Sequence, residues 1–117
     1  MTDIKGTVKG IYEKLDEKKG EDIRIIDISG LSDIADYFVI ATANNPNQMD
    51  ALQDTVDEFM TEQNVSIRNT EGHVRDHSSW ILMDYGDIIV HIFDREAREF
   101  YNLEHLWKGG RVEVTEL

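Results

Sequence analysis

Two histidines, His73 and His77, stand four residues apart, the spacing at which a helix would aim both rings at one metal ion. Gly72 precedes them, no apolar periodicity surrounds them, and no third ligand follows at short spacing. The stretch reads as a polar loop, and no metal site is expected. Ser78 and Ser79 adjoin His77, but a nucleophilic serine needs a base and a carboxylate that converge on it in space. The flanking loop offers no strained elbow for one. Asp84 and Asp87 flank Tyr85-Gly86, and two carboxylates at a hairpin tip can hold magnesium for nucleotidyl transfer. Asp is equally a turn residue, because its side chain bonds nearby amides, and no basic phosphate cradle accompanies the pair. His91 interrupts the apolar run Ile88-Ile89-Val90-His91-Ile92-Phe93, where a core or edge histidine is the simpler reading than a general base. Gly109-Gly110 lacks the strand and helix of a phosphate-binding loop. Cysteine is absent, which removes thiol nucleophiles, disulfides and Cys-bound zinc. The sequence therefore predicts no catalytic residue, no metal and no cofactor. The enzymatic alternative is a metal-dependent nucleotidyltransferase built on Asp84 and Asp87.

Binding chemistry is better supplied. Trp80, Tyr85, Tyr101 and Trp107 gather in the last third of the chain beside Arg98, and these residue types dominate interface hot spots. Asp84, Asp87, Glu96, Glu99 and Glu104 surround them. An apolar patch with an acidic rim suits a basic protein surface. The whole chain agrees with that: 24 Asp and Glu against 12 Lys and Arg leave a net charge of −12. Such a surface repels phosphate backbones and anionic lipid, so no direct nucleic-acid specificity is expected. Lys5, Lys9, Lys14, Lys18 and Lys19 lie interleaved with Asp16 and Glu17 and read as a solvated helix face.

The elements that must carry these residues follow from periodicity. Ile4, Val8, Ile11, Tyr12 and Leu15 predict a helix capped by Asp3 and stopped at Lys18-Lys19-Gly20. Ile23 to Ile28 predicts a strand, and Tyr37 to Ala43 a central strand, apolar on both faces. Asn44 to Asn47 starts a second helix, with Met49, Leu52, Val56, Phe59 and Met60 inside and its end near Asn64. Val65 to Arg68 is a short strand candidate, followed by a polar loop from Asn69 to Ser79. Trp80 to Tyr85 and Ile88 to Phe93 form a hairpin about Gly86, and a last helix spans Arg95 to Trp107. A strand–helix–strand crossover demands one parallel pair, whereas the hairpin is antiparallel. The fold class is thus α/β, an α+β layered domain with a mixed five-stranded sheet and helices packed on it. Residues 1–108 form the domain and 109–117 a C-terminal tail. No apolar run approaches the ~20 residues that span a bilayer, and Met1 to Lys5 opens no signal or transit pattern. A cytoplasmic protein, 40% hydrophobic and hence able to build a core, is expected.

Three segments carry a resemblance: Ala35-Asp36-Tyr37-Phe38-Val39-Ile40-Ala41-Thr42, then Trp80 through Phe93 with its Asp84-Tyr85-Gly86-Asp87, then Glu96 through Trp107. In this order the chain resembles the ribosomal silencing factor (Iojap) family over about residues 4 to 108. The resemblance implies a mixed-sheet domain similar to the nucleotidyltransferase fold without its catalytic machinery. It also implies a non-enzymatic role: binding a basic large-subunit ribosomal protein, the one numbered fourteen, on the intersubunit face. Occupying that surface would block joining of the small subunit and repress translation. Ribosome assembly and a homodimer are further implications; an acidic dimeric adaptor is another alternative. The family signature falls on Trp80, Asp84, Tyr85, Gly86, Asp87, His91, Glu96, Arg98, Tyr101, Leu103, Leu106 and Trp107. Of these, Trp80, Asp84, Tyr85, Glu96, Arg98 and Tyr101 are expected to meet the partner, with Arg98 alternatively bracing its helix. Gly86, His91, Leu103, Leu106 and Trp107 are expected to be structural. One departure stands out: Ala43-Asn44-Asn45-Pro46-Asn47 replaces a Gly-x-Ser-x-Arg-like segment common in relatives.

Overall fold

Thr7, Val8, Ile11 and Leu15 recur at helical spacing, and helix α1 (Ile4–Glu17) turns that stripe inward. The structure, a computed structural model, describes residues 4–30, 33, 35–72, 79–101 and 111–113, so the cap expected at Asp3 lies outside it. At the other end the amides of Gly20 and Lys19 reach back to the carbonyls of Leu15 and Asp16, each at 2.9 Å. This double closure needs one left-handed residue, and it is Lys19, at φ +64°, that takes it. Gly20 serves space instead: a Cβ there would stand 3.1 Å from the Leu15 carbonyl oxygen and 3.3 Å from Leu52.

Strand β1 (Glu21–Asp27) leads to β2 (Tyr37–Ala43), where every residue after Tyr37 is buried. The Asn45 side chain then accepts from the Gln48 amide at 2.8 Å, Pro46 fills the first helical position, and α2 (Pro46–Glu62) begins. It ends by the same closure as α1, with Asn64 left-handed at φ +61° and the Val65 amide bonded to the Met60 carbonyl at 2.9 Å. Val65 packs on the core as that closure's apolar plug. For this reason the strand expected at Val65 to Arg68 lies further on. Only when the Arg68 amide meets the Asp84 carbonyl does the chain reach a partner, and β3 is Asn69–Glu71. Strands β4 (Trp80–Asp84) and β5 (Ile88–Asp94) form the hairpin, and α3 (Arg95–Tyr101) follows. The rest of the helix predicted to Trp107, with Leu103 and Leu106, lies outside the described residues. Arg111–Glu113, placed by the sequence in the tail, form β6 on the free edge of β1 and satisfy its unpaired backbone groups.

The sheet is mixed, with order β3-β4-β5-β2-β1-β6. Four of the five expected strands lie where the sequence placed them, the fifth is displaced to Asn69–Glu71, β6 extends the sheet, and among the described residues three helices pack on it. The parallel pair is β2 with β5, because the crossover through α2 delivers β3 and β4 to the far edge first. Alternation sorts the core into two. Ile25, Val39, Ala41, Met83, Val90 and Ile92 pack under α1 and α2, while Ile26, Phe38, Ile40, Ile89 and Phe93 pack with Ala97 of α3.

Lys19→Gly should stabilise the fold by about 0.5–1 kcal/mol, since glycine adopts the left-handed conformation without the lysine's steric cost. A urea unfolding midpoint that rises for Lys19→Gly and falls for Lys19→Val is the expected outcome.

Candidate functional site

Helix α3, described over Arg95–Tyr101, is seated by its side chains. Asp94 caps it, one carboxylate oxygen accepting from the Ala97 amide at 2.8 Å. Arg98, 7% exposed, points inward: its Nη1 donates to Thr42 Oγ1 at 2.8 Å and its Nη2 lies 3.5 Å from the Asp22 carboxylate. Arg95 pairs with Glu21 at 2.5 Å and donates to Asn44 Oδ1 from Nη2 at 2.7 Å and from Nε at 3.1 Å. The Asn44 amide group itself donates to Glu21. Gln48 closes the cluster, accepting from the Asn44 amide at 2.6 Å and donating to the Lys19 carbonyl at 2.7 Å. The Asn44-Asn45-Pro46-Asn47 loop thus receives a guanidinium from α3. Arg98, expected to meet a partner or alternatively to brace its helix, has its guanidinium buried against Thr42 and the Asp22 carboxylate, the arrangement of a brace.

An aromatic stack stands beside this seat. The Trp80 ring, half-buried, lies 5.1 Å from Phe93 and 4.6 Å from Tyr101 between centroids. Its Nε1 donates to His91 Nδ1 at 3.0 Å, so the imidazole is neutral and carries its proton on Nε2. His91 is 3% exposed, and burial alone pushes its pKa down to about 3. Phe38 meets it edge-on at 4.7 Å, and its Nε2 has no partner among the described residues. Buried and neutral, this ring orients Trp80 and is out of reach of any substrate.

The stack opens to solvent through α3. Tyr101 is 40% exposed, and Phe100, edge-to-face with it at 5.0 Å, is 79% exposed. Between them and Ser79, Asp94, Glu96 and Ala97 lies a hollow of about 320 Å³. Trp80, Glu96 and Tyr101 of the expected set therefore come together here. Asp84 does not join them: it ends β4, four residues and about 13 Å from Trp80, and its Oδ1 accepts from the Gly86 amide at 2.8 Å. Gly86 sits at φ +94°, and Asp87 binds the amides of Asp36 and Tyr37 through its carbonyl. Among the described residues no three His, Cys, Asp or Glu converge on a metal position.

Tyr85 stands apart from this face. Five residues from Trp80, it emerges on the opposite face of the sheet, 7% exposed, within the core under α1 and α2. Its hydroxyl reaches Asp57 at 3.3 Å, and burial, with that carboxylate beside it, pushes its pKa up. Leu103, Leu106 and Trp107 lie outside the described residues, as do His73, His77 and Ser78. Phe100 and Asp94 went unnoticed as site residues in the sequence. The signal for Phe100 was its place off the inward Ala97-Arg98 face of the helix.

Residues 2–117 match the family described as "Ribosomal silencing factor during starvation". A ribosomal silencing factor of Bacillus subtilis is 38% identical over 92 residues, which cover 79% of this chain and 76% of that protein. The chloroplastic Iojap protein of Zea mays is 33% identical over 78% of this chain, a match that spans 39% of the longer plant protein. Among solved structures, a protein from Chromobacterium violaceum superposes with a TM-score of 0.85 at 32% identity, covering 99% of this chain and 94% of the other. One from Bacillus halodurans gives 0.81 at 29% identity, covering 95% and 99%.

The buried imidazole sets a pH dependence. The unfolded chain protonates His91 near pH 6.5 and the folded chain only near 3, so the unfolded state binds more protons between those values. Stability from this group is complete above pH 6.5 and is lost as the pH falls, by about 2 kcal/mol at pH 5. Urea unfolding at pH 7 and 5 should show this loss, and His91→Gln should remove most of it.

Proposed function

Because this chain belongs to the ribosomal silencing factor family, we propose that it docks on the large ribosomal subunit and represses translation by obstructing the small subunit. The partner would be a basic protein of the intersubunit face, the large-subunit ribosomal protein numbered fourteen. No chemistry is asked of the chain. A body of 33 × 32 × 26 Å seated on a face that must close to hydrogen-bond distance blocks closure by volume alone.

The observation that carries this reading is the acid-rimmed aromatic face of α3. Phe100 and Tyr101 present apolar area to solvent, Trp80 stands behind Tyr101, and Asp94 and Glu96 border them. Aromatic anchors inside a charged rim are the anatomy of a protein interface, and exposed large apolar side chains are otherwise costly to leave in water. Charge adds range. At a net charge of −12 the chain is drawn to a basic protein and repelled by ribosomal RNA, over a screening length of about 8 Å at physiological salt. Asp84, at the hairpin tip on the Trp80 face, would lie at the outer margin of that contact. The alternative of a nucleotidyl-transfer site on Asp84 and Asp87 has less support, since Asp84 is engaged in closing its own turn.

Sucrose-gradient sedimentation with excess protein should show it co-migrating with the large subunit and depleting joined ribosomes. Trp80→Ala, checked for folding by circular dichroism, should weaken that binding by about tenfold or more, as expected of a central aromatic anchor. Lys14→Ala, on the distant face of α1, should leave it unchanged.

A further inference from the structure

The hollow at α3 has a shape and a composition that specify more than apolar contact. Its wall is the exposed Phe100 ring set edge-to-face with Tyr101 at 77°, so two ring surfaces bound one space. Its other side carries two carboxylates, Asp94 and Glu96. One Asp94 oxygen is occupied by the Ala97 amide, and Glu96 is exposed to solvent. Aliphatic side chains would fill the volume but leave both charges unmatched. A carboxylate or phosphate would be repelled. A planar cation satisfies both walls, since it stacks on an aromatic face and hydrogen-bonds a carboxylate along its edge.

We infer that this hollow receives one arginine side chain of the partner, the guanidinium lying against Phe100 with its N–H edge toward Glu96 and Asp94. Arginine fits better than lysine because its flat, weakly hydrated head can stack and bind a carboxylate at once, whereas an ammonium is a compact, strongly hydrated point charge. The hollow is supplied by α3, the end of β5 and Ser79, and the Arg95 and Arg98 contacts on the other side of α3 tie that helix to the sheet edge. Identification of the arginine's owner as a ribosomal protein rests on the reading above; the chemistry of the hollow does not.

Two measurements separate them. In the first, the free protein is titrated with N-acetyl-arginine methylamide and, separately, with its neutral isostere N-acetyl-citrulline methylamide, following amide resonances. The arginine probe should shift Glu96, Phe100 and Tyr101 with a dissociation constant of roughly 10 mM, and the citrulline probe should not. Equal shifts from both probes, or none at these residues, overturn the inference. In the second, binding to purified large subunits is measured against salt. Phe100→Ala should weaken it about tenfold, and Glu96→Gln about threefold with a shallower salt dependence, while Phe100→Trp retains binding. Wild-type protein that binds subunits while Phe100→Ala and Glu96→Gln bind equally well overturns the inference and leaves the docking proposal standing. So does a Phe100→Ala variant that only dissociates a dimer of this chain. Wild-type protein that does not bind subunits overturns the docking proposal, and the probe titration still decides the hollow.

Discussion

Parallel pairing of β2 with β5, from Tyr37 opposite Ile88 to Ala43 opposite Asp94, sets where every functional group of this chain can lie. Both strands are buried on both faces, so neither can slip by a residue without turning its apolar side chains out of two cores at once. Because the pairing is parallel, the two strands finish at the same edge. Helices α2 and α3 therefore start side by side and depart to opposite faces of the sheet. Their shared origin concentrates polar groups: Asn44, Gln48, Arg95, Glu21, Arg98 and Thr42 all bond across this one edge. This cluster ties the start of α3 to β1, β2 and α2, and with it the direction in which Phe100 and Tyr101 are presented.

The charge of the chain works against its compactness and for its association. Acidic side chains crowd the outer surface of α2, where Asp54 is held above the ordinary carboxylate range by desolvation and by Asp50, Glu58 and Asp57. Repulsion of that kind is a standing cost to the folded state. Of the two α3 guanidiniums, by contrast, Arg98 is buried against Thr42 and Asp22, and Arg95, though exposed, is paired with Glu21 and Asn44, so the carboxylates of Asp94 and Glu96 are left to dominate the rim of the hollow. The same arrangement that seats the helix thus prepares its outer face for a positive partner.

Much of this was legible in the residues. Apolar periodicity placed α1, α2 and the central strands, the Asn45-Pro46 pair marked a helix start, and Gly86 with two flanking aspartates marked the hairpin. What failed did so for physical reasons. Val65 has the look of a strand residue, but closing α2 through left-handed Asn64 claims it first. Trp80 and Tyr85 are near in sequence and an odd number apart, and strand alternation sends them to opposite faces. Arg98 resembles an interface arginine by type; only the juxtaposition of Thr42 and Asp22, distant in sequence, reveals it as a brace. Val112 and its neighbours joined the sheet because β1 had an edge to offer, which no local pattern announces.

A photo-reactive phenylalanine at position 100 would report directly on what covers this face. Irradiated with ribosomes at physiological salt, it should yield an adduct with a basic protein of the large subunit, while the same group at position 14 yields none. An adduct with ribosomal RNA, or labelling from position 14 with nothing from position 100, would contradict the assignment of α3 as the docking face.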